Sequence, residues 1–111
     1  MKLNKDAFEL VKNGGKCIEV RLYDEKRRQL KLGEKIIFSK AGGPEEKIQA
    51  KVSALLLYPD FRSLYSDFDP KDFGGEGWTI DQLVENIHGY YSEEDEEKYG
   101  VMGIKLEVLS R

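Results

Sequence analysis

The chain has 111 residues, the size of one typical domain of about 100 to 150 residues, so one domain is predicted over 1–111. Hydrophobic residues make up 40% and charged residues 35%, a balance that excludes wholesale disorder. The single cysteine cannot form an internal disulfide, and no apolar run approaches the roughly 20 residues of a membrane span or resembles a signal peptide. We therefore expect a soluble cytoplasmic protein.

The charge is unevenly distributed along the chain. A net charge of −3 argues against a nucleic-acid partner, because phosphate binding needs a surplus of Lys and Arg. Residues 1–55, however, carry a balance of +5 and residues 56–111 a balance of −8. The first half can therefore present a basic face, although both halves can equally be ordinary solvated surface.

The first half is predicted to hold one helix and three strands. The helix begins after the N-cap Asn4 and ends at Gly14 and Gly15. Apolar and polar residues then alternate over 17–23, which is typical of a strand with one buried face. Two further strands are predicted over 35–39 and 47–58, with a loop over 41–44 between them.

The second half is predicted to be mostly helical, with a terminal strand. A short helix or turn covers 61–68 and a loop covers 71–77. Thr79, followed three residues later by Gln82, marks a capping box and the start of a longer helix. The acidic run 93–97 is expected to be a solvated helix start, and 101–109 a closing strand. These elements predict an α+β fold, a small mixed β-barrel that is closed or nearly closed, with helices across its openings.

The segment Gly14-Gly15-Lys16-Cys17-Ile18-Glu19-Val20-Arg21 has an unusual density of charge for the entrance of a strand. Glu19 and Arg21 are two residues apart and therefore project from the same face, with Lys16 at the mouth. A carboxylate, a guanidinium and an ammonium can then line one cleft. The alternative is a surface ion pair that contributes less than about 1 kcal/mol.

This segment resembles the GxKxxExR signature of the ASCH (activating signal cointegrator homology) domain family, with Gly14, Lys16, Glu19 and Arg21 at the four motif positions. Residues 33–38 and 99–104 are similar to further landmarks of the family. The resemblance implies a fold like that of the PUA domain, and it implies binding of RNA, or of a small nucleoside or nucleotide ligand, in the cleft that bears the signature.

The resemblance also implies an enzymatic alternative, a hydrolase that acts on a modified nucleoside or on RNA and uses Lys16 and Glu76. Some small bacterial members of the family are N4-acetylcytidine amidohydrolases that use a lysine, a threonine and a loop glutamate. Lys16 matches the lysine and Glu76 matches the loop glutamate, but Glu19 stands where those enzymes carry threonine. A carboxylate there would keep Lys16 protonated, which disfavours its use as a nucleophile or base. The catalytic set, if the protein is an enzyme, is Lys16, Glu19 and Glu76.

Aromatic and basic residues outside the signature suggest further RNA contacts. Tyr23 and Trp78 are the best candidates for base stacking, although aromatics at loop edges also cover the core of a small barrel. The basic residues at 26–28 and 31 can track phosphates or simply form a solubilising turn.

No metal site and no cofactor are predicted. His88 has no histidine or cysteine partner and is expected to flank or cap its helix. Cys17 is expected to be structural, although the neighbouring Lys16 would lower its pKa. A third possible function is a protein-interaction module that uses the acidic second half. The sequence leaves the oligomeric state open.

Overall fold

The computed structural model describes residues 1–110, in which five strands and four α-helices confirm the predicted α+β class. The strands are β1 (Lys2–Leu3), β2 (Ile18–Leu22), β3 (Lys35–Lys40), β4 (Gly43–Tyr58) and β5 (Val101–Ser110). The helices are α1 (Lys5–Lys12), α2 (Phe61–Ser66), α3 (Ile80–Ile87) and α4 (Glu93–Tyr99), with 3-10 turns at Arg27–Gln29 and Pro70–Phe73. A search of this part of the chain finds no helix that is long and apolar enough to span a bilayer.

The strands form one mixed sheet in the order β1-β3-β4-β5-β2. The pairing of β1 with β3 is parallel and the other pairings are antiparallel. The sheet curls until its two edge strands approach each other, and Arg21 Nη2 on β2 donates to the main-chain oxygen of Lys2 on β1 at 3.3 Å. The result is a half-barrel in which a side chain bridges the seam between β1 and β2.

Two apolar clusters hold the sheet and helices together. One lies between α1 and strands β3, β4 and β5, with Phe8, Phe38 and Ile48 at its centre. The other packs one face of β2 against α2 and α3 and includes Ile18 and Phe61. Because β2 buries Ile18, Val20 and Leu22 against these helices, its other face turns toward the seam.

Three elements differ from the sequence prediction. Strand β4 begins at Gly43, inside the predicted loop 41–44, because the chain turns at Ala41 and Gly42 and Lys40 pairs directly with Gly43. Strand β1 was not predicted, since two residues are too short to show periodicity. The predicted loop 71–77 begins as a 3-10 turn, which the Asp69 side chain caps by accepting from the N–H of Lys71 at 2.9 Å.

The start of α3 is formed by the predicted capping box. Gln82 N–H donates to Thr79 Oγ1 at 3.1 Å, and Thr79 N–H donates to Gln82 Oε1 at 2.8 Å. The two reciprocal bonds satisfy N–H groups that have no partner within the helix. They place α3 directly after the loop that carries Glu76 and Trp78.

The acidic run on α4 is not wholly solvated, contrary to the prediction, because Glu96 is buried. Its Oε2 accepts from the N–H of Phe61 at 2.8 Å, and its Oε1 lies 2.7 Å from His88 Nε2. Phe61 is the first residue of α2, where the N–H has no partner within the helix. Glu96 therefore joins the start of α2 to the end of α3, and His88 caps that end as predicted.

Replacing Glu96 with alanine should destabilise the fold by about 1 to 3 kcal/mol, because the buried N–H of Phe61 loses its acceptor. The matched control is Glu97→Ala, an exposed position on the same helix, which should change stability by less than about 0.5 kcal/mol. Urea denaturation at neutral pH measures both variants. Equal stabilities of the two variants would contradict a structural role for Glu96.

Candidate functional site

A cavity of about 540 Å³ lies at the seam between the edge strands β1 and β2. Helices α1 and α3 and residues 73–75 complete its walls. Its volume is within the roughly 300 to 1,000 Å³ typical of small-molecule sites. The cavity is therefore large enough for a ligand of the size of a nucleoside.

The floor of this cavity is a buried carboxylate held by two cations. Glu19 is only 5% exposed. Its Oε1 lies 2.8 Å from Lys16 Nζ, and its Oε2 lies 2.7 Å from Arg21 Nη2 and 3.2 Å from Arg21 Nε. The Val20 N–H also donates to Oε1 at 3.3 Å. Both oxygens of Glu19 are thus engaged, and the three charged residues of the sequence motif form one cluster.

The ionisation of the cluster follows from these contacts. Burial opposes the charged form of Glu19, but Lys16 and Arg21 outweigh it and hold the pKa of Glu19 below its usual value. Burial likewise opposes the guanidinium of Arg21, yet the Glu19 carboxylate, with a smaller contribution from Tyr91, raises the pKa of Arg21. Glu19 and Arg21 are therefore both ionised at neutral pH.

Two glycines position Lys16 over Glu19. Gly14 adopts φ +83°, a conformation that favours glycine, and so lets the chain leave α1 and enter β2 within a few residues. Gly74 lies against the aliphatic stem of Lys16, since a Cβ on Gly74 would be 3.4 Å from Lys16 Cβ and Cδ. The stem is thus packed while the ammonium reaches the cavity floor.

The free edge of β2 also faces the cavity. In the antiparallel pairing with β5, Glu19 and Arg21 lie opposite Ile104 and Met102, and the N–H of Leu106 donates to Cys17 O. This alternation directs the main-chain N–H and C=O of Val20 away from β5, toward the seam. The Val20 N–H is engaged by Glu19 Oε1, so the Val20 carbonyl is the main-chain group available at the cavity beside the charged cluster.

Aromatic side chains line the walls and the rim. Trp78 and Tyr90 are 44% and 66% exposed, and both border the cavity. Tyr65, Phe73 and Tyr91 lie deeper. Burial, with the nearby carboxylates of Glu19 and Glu96, raises the pKa of Tyr65, so its hydroxyl remains a neutral hydrogen-bonding group.

The structure brings together four of the residues singled out from the sequence. Lys16, Glu19, Arg21 and Trp78 all line the cavity. Glu76 is exposed and is not part of the lining, although Gly75 on one side and Trp78 two residues later both are.

Tyr23 lies outside the cavity, because β2 ends at Leu22 and the guanidinium of Arg28 covers the Tyr23 ring at 4.2 Å from its centroid. Arg28 is thereby engaged within the fold. Arg27 is engaged as well, since its Nη1 lies 2.9 Å from Asp24 Oδ2. The arginines of the basic run 26–28 thus have partners within the chain.

The environment of Cys17 differs from the expectation. The residue is half-buried, and its Sγ lies 3.7 Å from Asp72 Oδ1. Burial and the Asp72 carboxylate raise the pKa of the Cys17 thiol, which corrects the prediction that Lys16 would lower it. A raised pKa fits the expected structural role rather than a nucleophile.

Several lining residues were missed from the sequence. Tyr65 comes from α2, and Asn86 and Tyr90 come from the end of α3 and the turn after it. Asn86 follows the buried Leu83 by three residues on α3, so the helical period places the two on neighbouring positions of one face. The pattern could not show that this part of α3 closes over β2, because only tertiary packing brings the two elements together.

Glu19→Gln should lower the free energy of unfolding by about 3 kcal/mol at pH 7, because Lys16 and Arg21 lose their buried counter-charge. The pKa of Glu19 is lower in the folded than in the unfolded state. Its contribution is therefore full above the usual value of 4.5 and is lost as the pH falls through the folded-state value. The difference between the parent and the variant should shrink as the pH is lowered.

Urea denaturation over this acidic range, with the exposed Glu85→Gln as the matched control, measures the effect. The control should stay within about 0.5 kcal/mol of the parent at each pH. A difference for Glu19→Gln that did not vary with pH would contradict the lowered pKa.

Comparisons with known proteins agree with this architecture. The sequence matches the family model of the ASCH domain over residues 1–110. A search of curated proteins found no match. The crystal structure of hypothetical protein PH0355 is 34% identical with a TM-score of 0.82, and the match covers 98% of this chain and 100% of that one. The solution NMR structure of protein PF0455 from Pyrococcus furiosus is 33% identical with a TM-score of 0.74, and the match covers 100% of both chains. The chain therefore belongs to the ASCH domain family and has its PUA-like α+β fold.

Proposed function

We propose that the cavity at the β1–β2 seam binds one unpaired nucleotide, either free or as part of RNA. The observation that carries this proposal is the combination of a cationic floor with an exposed aromatic rim. Lys16 and Arg21 supply the floor, and Trp78 and Tyr90 supply the rim. Charge-assisted donors suit phosphate and carbonyl oxygens, and aromatic faces suit an unpaired base.

The charged cluster leaves donors for a ligand. Glu19 accepts from one of the three N–H groups of the Lys16 ammonium. The Nε and Nη2 hydrogens of Arg21 are used by Glu19 and by the Lys2 carbonyl. This leaves Arg21 Nη1 for a ligand or for the neighbouring Tyr91. Because Glu19 fixes both cations in place, the site needs little reorganisation when an anion binds.

The walls can distinguish a base from other planar groups. The side-chain amide of Asn86 and the hydroxyl of Tyr65 both donate and accept, and the main-chain carbonyl of Val20 accepts. Such mixed donors and acceptors match the edge of a base. A base paired within a duplex would have to be extruded to enter, so the site favours unpaired nucleotides.

Trp78 is the single tryptophan of the chain and therefore reports on its own site. Titration with nucleoside 5′-monophosphates should quench its fluorescence in a saturable way. Tyr90→Ala should weaken binding by about 1 to 3 kcal/mol, the usual contribution of base stacking. The matched control, Leu57→Ala, truncates an exposed apolar side chain outside the cavity and should bind like the parent. Absence of saturable quenching, together with no heat of binding by calorimetry, would refute the proposal.

The hydrolase alternative has less support from the geometry. An amidohydrolase mechanism would need Lys16 and Glu76 at one site, but Lys16 is bound to Glu19 and Glu76 does not line the cavity. An ammonium in an ion pair has no lone pair to attack an acyl carbon. The site is therefore better suited to binding than to acyl transfer.

We accordingly expect no release of acetate from N4-acetylcytidine above the level of the Lys16→Ala variant. Acetate can be measured by a coupled assay, with chromatography of the nucleoside as the independent readout. Turnover by the parent that is lost in Lys16→Ala and in Glu76→Gln would instead support the enzymatic alternative.

A further inference from the structure

The outer face of the sheet beside the cavity carries four exposed lysines. Residues of β3 and β4 alternate between the buried cluster and this face, and Lys35, Lys47 and Lys51 all point outward. Lys2 on β1 is also exposed and pairs in register with Ser39, which in turn lies opposite Lys47. We call this group, Lys2, Lys35, Lys47 and Lys51, the lysine face.

The register places these four side chains in two rows. The first row consists of Lys2 on β1 and Lys47 on β4, which are two strands apart, roughly 10 Å. The second row consists of Lys35 on β3 and Lys51 on β4, which lie directly opposite each other. Four residues separate the rows, which corresponds to about 13 Å along a strand. The lysines therefore surround a small area of sheet, with the exposed Ile37 and its partner Gln49 at the centre.

These lysines lack ion-pair partners within residues 1–110, whereas Lys12, Lys16 and Lys40 all have them. The carboxylate opposite Lys51 on the other side of β4 is Glu107, and the two do not form an ion pair in the described structure. Like charges directly opposite on neighbouring strands destabilise a sheet. The Lys35–Lys51 pair therefore concentrates positive charge at one place on the sheet, and an anion that lies over it would be attracted.

The lysine face is continuous with the cavity. Lys2 belongs to both, since it lines the cavity and lies at one corner of the face. The N-terminal amine of Met1 donates to Ile37 O at 2.7 Å and so lies beside the residue at the centre of the lysine face. Burial first, and then Arg21, Lys26 and Lys47, lower the pKa of this amine. Arg21 in the cavity and Lys47 on the sheet thus both act on the amine at the start of β1.

Resting on the proposed function of the cavity, we infer that the lysine face binds the phosphates of a single-stranded polynucleotide whose unpaired base occupies the cavity. The ligand is then a strand of several nucleotides rather than a free mononucleotide. Cavity contacts recognise one base, and the lysines bind the neighbouring phosphates through charge alone. Sequence preference should accordingly come from the cavity, and affinity and its salt dependence from the lysine face.

The test compares two ligands and two double variants. The ligands are a nucleoside 5′-monophosphate and a labelled single-stranded RNA of about eight nucleotides, within the range of site sizes of single-strand binding domains. The first double variant is Lys35→Gln with Lys51→Gln. The matched control, Arg62→Gln with Lys98→Gln, removes the same charge from exposed positions on α2 and α4. Fluorescence anisotropy measures RNA binding between about 50 and 200 mM salt, and Trp78 fluorescence measures mononucleotide binding.

We expect the lysine-face variant to bind RNA on the order of tenfold more weakly at low salt. The slope of log affinity against log salt should fall by about 0.7 for each lysine removed. Mononucleotide binding should not change. Lys35 and Lys51 are exposed and form no ion pair among the described residues, so the variant should be about as stable as the parent, and urea denaturation checks that unfolding does not explain the weaker binding.

Other results would overturn the inference in distinguishable ways. An equal loss in the control variant would show that only net charge matters. RNA binding unaffected by the lysine-face variant, with mononucleotide binding intact, would refute the phosphate path but leave the cavity proposal standing. Binding to vesicles of anionic phospholipid without binding to RNA would assign the face to a membrane surface. Failure of both nucleotide ligands to bind the parent would refute the proposed function itself.

Discussion

The site depends on one constraint, the burial of the Glu19 carboxylate. An isolated buried carboxylate would be strongly unfavourable, so Glu19 is compatible with the fold only while Lys16 and Arg21 contact it. Lys16 approaches from the turn after α1, and Arg21 reaches across to the main chain of β1. The same cluster therefore joins the turn after α1 and the two edge strands β1 and β2 at one point.

The desolvation of three charged groups makes this cluster a poor source of net stability. Buried ion pairs can often be replaced by apolar residues without loss of stability, because desolvation cancels much of the attraction. What apolar residues could not supply is a floor of fixed N–H donors at the bottom of an aromatic cavity. The cluster thus fits the proposed recognition of an anionic or carbonyl ligand better than a purely stabilising role, and it lies at the edge of the sheet, where the main-chain carbonyl of Val20 points away from β5.

The parts of the fold that could be predicted are those encoded by short patterns. Period-2 alternation identified β2 and placed Glu19 and Arg21 on one face, and the Thr79–Gln82 box identified the start of α3. Alternation along β2 would place Tyr23 on the same face as Arg21, yet the strand ends before Tyr23 and Arg28 covers its ring. Alternation predicts the direction of a side chain only while the strand continues.

The remaining site residues depend on packing between elements distant in the chain, which no local pattern records. Tyr65 and Asn86 reach the cavity because α2 and α3 pack over β2. Glu96 shows the same limit of local patterns, because a residue predicted to be solvated is buried by tertiary packing. Its acidic neighbours are typical of a solvated helix start. Glu96 itself is buried where it accepts from the N–H of Phe61, which has no partner within α2, and this contact exists only because α2 and α4 pack together.

The net charge of −3 describes the chain poorly, because its charges are segregated by element. The acidic surplus lies largely on α4 and the turns around α3, whereas the lysine face and the cationic floor are built from β1, β2, β3 and β4. A polyanion is therefore repelled by α4 and the turns around α3 and attracted by the lysine face. This segregation of charge would orient the proposed polynucleotide ligand toward the sheet before any contact forms. A protein of negative net charge can thereby bind a negatively charged ligand at one face and exclude it elsewhere.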